Sequence, residues 1–277
     1  DSQAAPEPDK LDASVNELLD AALAEMPRDK AREIVDRHRQ VLSEIALAAR
    51  SESCVWNLPY RTEGINLPLP MLAKFRRLAR LVALQARLQI AEHQFVAAVQ
   101  TLQVGLSMAR HVTEGPTLIN ALVGTAIADL MLARVRELMQ EPGSPNLYWA
   151  LADLPRPMID ARKAIQFERA VVQLTIPALR NLSDRPMTPQ EGQKIIEDIS
   201  VMLGMMGDSS NRSDAEARFT MTALGVKMYP AAKKYLASRG YTTERIQAMP
   251  VQQAILLYAV DQYSVWRDEV FKWFALP

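Results

Sequence analysis

Residues 71–92 read as a helix with two apolar faces, and that stretch restricts the fold more than any other. At about 100° per residue, Phe75, Ala79, Val82, Ala86 and Ile90 form one apolar face, and Leu81, Leu84, Leu88 and Ala91 form a second. A narrow strip of Arg76, Arg80 and Arg87 runs between them. A helix on a surface needs one apolar stripe, whereas a helix with two has to be packed between neighbours. The following residues supply such neighbours: a tight turn at 92–95, a second helix to about Thr113, a break at Gly115-Pro116, and a third long helix to about Gln140.

The remaining chain continues in the same style. Residues 1–9 are polar and Pro-containing and are expected to be disordered. Leu11, Val15, Leu18, Leu19 and Ala22 keep helical spacing, and Pro27 starts a helix with Ile34, Val35, His38, Val41, Leu42 and Ile45 on one side. Residues 51–70 read as an ordered connecting loop. A helix over about 158–182 is interrupted at Pro177. Two capping boxes, Thr188-Pro189-Gln190-Glu191 and Ser213-Asp214-Ala215-Glu216, mark helix starts, with a loop over 204–212 between them. A kink is expected at Pro230, a helix end at Gly240, and a last apolar helix after Pro250. No segment reads as a strand. The reading is an all-α fold of stacked antiparallel hairpins: a single domain over 10–277, with an N-terminal hairpin at 10–50, a central core at 71–155 and C-terminal helices at 157–277.

Composition narrows function as well as fold. The chain carries 32 basic and 32 acidic residues, so it lacks the basic excess that a nucleic-acid binder uses to displace counterions. No unbroken apolar run approaches the roughly 18 residues that span a bilayer. The single Cys54 allows neither an internal disulfide nor a cysteine-based zinc site. The polar opening Asp-Ser-Gln-Ala-Ala-Pro is what signal-peptide removal leaves, so export to the periplasm or cell envelope is expected. Phe271, Trp273, Phe274 and Leu276 crowd the last residues, so the natural chain is expected to continue past Pro277.

Within about 79–112, Ala86, Ala98 and Gly105 are small and Phe95, Leu102 and Leu106 are large, at the offsets of one tetratricopeptide repeat, which this hairpin resembles. Val82, Gln85 and Arg110 depart from that pattern, and no second clean copy follows at a 34-residue period. The resemblance implies close packing of two helices. The stretches 110–117, 146–157 and 249–276 also resemble an uncharacterised bacterial family of exported all-helical proteins. That likeness implies export and a helical fold, and no activity.

Residues that could carry chemistry are scattered. His38, His93 and His111 lie on separate elements with no i, i+3 or i+4 partner, so no metal site and no cofactor are expected. Ser107 in Gly105-Leu-Ser107-Met-Ala109 lies mid-helix, away from the strand-to-helix turn a nucleophile elbow needs. Asn120 and Asp129 interrupt the third helix. Tyr148, Trp149, Asp153 and Arg156 gather aromatics and charges around prolines, either as a binding loop or as the cap of a helical stack. Arg76, Arg80 and Arg87 either pair with acids such as Asp129 and Glu137 and set helix register, or line a groove as a binding strip. The expectation is a non-enzymatic scaffold or protein–protein interaction module. Two alternatives stand beside it: a small-ligand or lipid binder with a cavity between helices, and an enzyme with dispersed Asp, Glu and Arg residues.

Overall fold

The structure, a computed structural model of the chain, describes residues 8–59, 63, 67, 69–182, 185–206 and 214–272. Its regular elements are helices, and no strand occurs among the described residues. The all-α class is therefore as the sequence indicates. Where the sequence reading has one domain over 10–277, the chain divides into two compact units, 1–58 with 68–167 and 59–67 with 168–277. The boundary falls inside a helix, after Phe167. Helical periodicity is local and continues through such a point, so the pattern carries no mark of it.

In the first unit, α1 (Pro8–Asp20) buries Val15, Leu18 and Leu19. The segment read as one helix after Pro27 is two, α2 (Arg28–Arg37) and α3 (Arg39–Ala48). His38 separates them at φ −105, ψ 14, and its ring Nδ1 lies 2.8 Å from the Ile34 carbonyl. Three long helices follow: α4 (Pro70–Ala91), α5 (Phe95–Thr113) and α6 (Leu118–Gln140). α4 touches α1, α2, α3, α5 and α6, and Leu81, Val82, Ala83 and Leu84 are all buried in succession. Two apolar faces have produced a helix surrounded at its middle.

The turn from α4 to α5 depends on His93, which takes φ +56. The Gln94 N–H donates to the Gln89 carbonyl at 2.8 Å and the His93 N–H to the Ile90 carbonyl at 3.0 Å. That pair of bonds is a Schellman closure, with a histidine where glycine is usual. Phe95 is half-buried against the core and meets the His93 ring edge-on at 5.5 Å. Ala86 and Ala98 are fully buried. Gly105 serves the next helix: a Cβ there would come within 2.7 Å of Met131 Cγ on α6. At Gly124 a Cβ would come within 2.7 Å of the Ala109 carbonyl oxygen, so α5 and α6 touch backbone to side there.

Asn120 proves to be part of a cap. The Thr117 hydroxyl accepts from the Asn120 backbone N–H, and the Asn120 side-chain Oδ1 accepts from the Thr117 N–H. Pro116 precedes this cap and lies outside the first turn. By length and composition the 23-residue α6 is apolar enough to cross a membrane, its most apolar 18-residue stretch having a mean hydropathy of 1.6. A search for unbroken apolar runs passes over it because Asn120, Asp129 and Arg134 interrupt the segment. It is packed against both α4 and α5. The unit continues through α7 (Tyr148–Ala152) and has one extended apolar core.

The second unit begins within α8 (Arg162–Thr175), which a 3-10 turn at Pro177–Asn181 follows. α9 (Pro189–Met206) opens on the expected capping box: the Glu191 N–H donates to Thr188 Oγ1 at 3.3 Å and the Thr188 N–H to Glu191 Oε2 at 2.8 Å. Ser213 of the other expected box and 207–212 of the expected loop lie outside the described residues, as do 1–7 and the terminal Trp273, Phe274 and Leu276. α10 (Asp214–Ser238) continues through Pro230 and closes at Gly240, φ +89. A short α11 (Thr243–Ala248), which the sequence pattern does not announce, leads to α12 (Val251–Lys272). Among the unit's described residues, Ile176, Leu179 and Leu256 belong to one apolar cluster and Leu236, Ile246 and Ala254 to another.

Candidate functional site

A long concavity lies in the first unit. The faces of α2–α3 and α5 that point toward each other leave a groove of about 1140 Å³ with part of α4 as its floor. Along α5 the lining runs from Gln94 to Arg110, a span of about 24 Å at helical rise. The groove is half-open, neither sealed nor flat. Its apolar floor comes from Val82, Leu88, Val104 and Leu106, and its walls are polar.

The polar groups sort by whether they are already satisfied. Arg32 donates to Asp29 at 2.7 Å and to Glu92 at 2.6 Å. The bond to Glu92 is the main reason that its pKa is raised. Arg39 pairs with Asp36 at 2.7 Å, and Gln89 accepts from the Thr101 hydroxyl at 2.8 Å. At the other end, Arg110 donates to the Glu52 carbonyl at 3.0 Å, while its buried Nε has no acceptor. Gln85, Gln100 and Gln103 line the groove and have no hydrogen-bond partner among the described residues. One end is thus charge-paired, the middle carries free side-chain amides, and the end at Arg50 and Arg110 is cationic.

The end of α5 also holds a strap. His111 Nε2 lies 2.9 Å from the Ser51 carbonyl, and the Trp56 indole N–H donates to the His111 carbonyl at 2.9 Å. The Cys54 N–H donates to Glu114 at 2.5 Å. Burial, then the Glu114 charge, pushes the Cys54 thiol pKa up, which makes it a poor nucleophile.

The arginine strip of α4 is split by the tertiary structure. Arg87 is 2% exposed and donates to the carbonyls of Leu18 and Ala21 and, at 3.2 Å, to Glu137. Arg134 of α6 donates to the Leu19 carbonyl at 3.2 Å. The two guanidiniums therefore cap the C-terminal end of α1, whose last carbonyls have no helical partner and carry the negative end of its dipole. Glu137 is an Arg87 partner as the sequence suggests. Asp129 is not; it is exposed on another face of α6. Arg76 and Arg80 make no ion pair among the described residues and line a smaller groove with Arg134.

Tyr148 and Trp149 are 65% and 73% exposed and stack edge-on at 5.0 Å, so they do not close the end of a helical stack. Tyr148 and Arg156 line a shallow depression with Met139 and Leu151, while Asp153 is exposed and outside it. The carboxylates with clear shifts, Asp160, Glu191 and Glu244, are all held below their ordinary range by hydrogen bonds, led by Arg162, Arg185 and a backbone N–H respectively. Among the described residues, no three of His, Cys, Asp and Glu come together as a metal site would need.

Sequence reasoning missed the glutamines. The available signal was Gln85, which stands where the repeat pattern has leucine, together with Gln100 and Gln103 opposite the apolar face of α5. Their partner wall comes from α2 and α3, and no spacing within α5 indicates it. The chain matches no protein-family profile, no curated protein and no solved structure.

Proposed function

We propose that this protein is a non-enzymatic helical scaffold that holds a segment of another protein in the groove between α2–α3 and α5. The groove itself carries the reading: half-open, about 1140 Å³, with unpartnered side-chain amides in its middle. A primary amide offers a donor pair and an acceptor together, which is what a peptide backbone presents in return. The apolar floor gives side chains somewhere to seat, and the Arg50–Arg110 end favours an acidic flank on the partner. α4 and α5 act as one tetratricopeptide-like hairpin, in which small Ala86 and Ala98 bring the helices together while the side of α5 facing α2–α3 stays free. Exposed Tyr148 and Trp149 offer a second contact area on the same unit.

Peptide display against the intact chain tests this. Selected peptides should carry acidic residues at one end and lose at least tenfold in affinity to Gln103→Arg and Val104→Glu proteins. If no peptides emerge, or if those selected are indifferent to both changes, the groove is not the binding surface.

A further inference from the structure

The second groove of the first unit, about 380 Å³, lies in the seam of α1, α4 and α6. Arg76 and Arg80 come from α4, Arg134 from α6, and Asn16 and Asp20 from α1. Ala79, Ile127 and Leu130 supply apolar lining. The lining carries three cations and one acid, and behind it Glu137 pairs with Arg134.

The guanidiniums of this groove differ in how far they are satisfied. The Arg134 side chain is only 11% exposed. Its Nη1 donates to the Leu19 carbonyl, and its Nε forms an ion pair with Glu137 Oε2 at 3.2 Å without hydrogen-bond geometry, on an acid shared with Arg87. Burial pulls the Arg134 pKa down, the Glu137 charge opposes this, and the neighbouring Arg87 adds to it. Arg80 is half-buried beside it with five N–H donors and no acceptor among the described residues. Like charges held close in a partly desolvated seam oppose folding unless an anion is shared between them. A bidentate guanidinium is also the preferred partner of a planar carboxylate or a phosphate.

We propose that this seam binds the phosphate monoester of a small soluble molecule. The doubly charged oxyanion is held by Arg80, Arg134 and Arg76. The ester's carbon portion rests on Ile127 and Leu130, and Asn16 and Asp20 accept from its hydroxyls. The site is separate from the peptide groove, and Arg80 lines only the seam.

The test is isothermal titration of the whole chain with glycerol 3-phosphate and with inorganic phosphate, at constant ionic strength set with chloride. The ester should bind with a millimolar or tighter Kd, several-fold better than inorganic phosphate. Arg80→Met should weaken it at least tenfold, and Lys74→Met, the same charge change on the exposed side of α4, by less than twofold. Without phosphate, the Arg80→Met melting temperature should equal or exceed that of the parent. Equal losses in the two variants would reduce the effect to general charge. No binding beyond chloride, no preference for the ester, or binding only to vesicles bearing a phosphomonoester lipid would each overturn the assignment.

Discussion

The two units solve the same problem with different materials. In each, a buried polar side chain fastens an irregular segment to a long helix. In the first unit it is Arg87, bonded to two carbonyls past the middle of α1 and to Glu137. In the second it is Gln253 of α12, 2% exposed, which donates to the carbonyls of Leu182 and Arg185 and accepts the Met187 N–H at 2.9 Å. The glutamine has a donor and an acceptor, so it can satisfy a loop by itself. The arginine has only donors and needs an acid as well, which α6 supplies. A charged clamp therefore ties three helices into one core, while a neutral clamp ties a loop to one helix of the second unit. The difference teaches that a donor-only side chain needs an acid from a third helix, whereas an amide satisfies a loop alone.

Replacing the clamps should separate the units most. Arg87→Met leaves the Leu18 and Ala21 carbonyls without a donor and Glu137 with Arg134 alone, and should cost about 2–4 kcal/mol. Gln253→Leu, which orphans three backbone groups beside a loop, should cost about 2–3 kcal/mol. Urea unfolding followed by hydrogen exchange locates each loss; a milder effect for Arg87→Met would break the comparison. Glycines come next. Gly124→Ala drives a methyl onto the Ala109 carbonyl and should cost about 1–3 kcal/mol. At Gly225 of α10 the nearest atom to a Cβ is Ile255 Cδ1 at 3.5 Å, so Gly225→Ala should stabilise by about 0.5–1 kcal/mol.

The helix ends sharpen the contrast further. α4 and α10 close with the same bonding pattern, at His93 and at Gly240. His93→Gly should stabilise by about 0.5 kcal/mol and Gly240→Ala destabilise by about 1 kcal/mol, both from the cost of a left-handed backbone to a residue with a Cβ. Equal and opposite shifts in melting temperature are not expected, because Gly for His also loosens the unfolded chain. The smallest effect concerns pH. Glu191 is lowered from 4.5 to about 2, first by Arg185, then by the N–H and hydroxyl of Thr188. A depressed carboxylate stabilises the fold above its unfolded value, and that contribution is lost as pH falls from about 4.5 toward about 2. Thermal melts across that window should show Glu191→Gln with a flatter acid limb than the parent; parallel limbs would remove the Arg185–Glu191 pair from the account.

Helix existence, the Thr188 cap, the Gly240 stop and the two-faced character of α4 were all legible, since each rests on spacing or on one residue's backbone preference. The break at His38 and the short α11 were not, because nothing in their local pattern competes visibly with continued helix or loop. His93 is instructive: its φ +56 is imposed by α5 returning along α4, and no propensity would choose histidine there. The groove was illegible for a related reason, since the glutamines of α4 and α5 face α2 and α3 across a gap that no periodicity measures.

By itself the sequence determined that this chain is all helical and that α4 is enclosed, because apolar spacing at 3.6 residues per turn leaves a helix no other way to hide two faces. Only the tertiary structure decided what the strip between those faces does. It turned Arg87 inward to a helix end and an acid, and left Arg76 and Arg80 beside Arg134 in an open seam. Three arginines on one side of one helix are equivalent in sequence. They part company because the cost of burying a charge depends on which acceptors other helices bring to it, and that is a property of the fold.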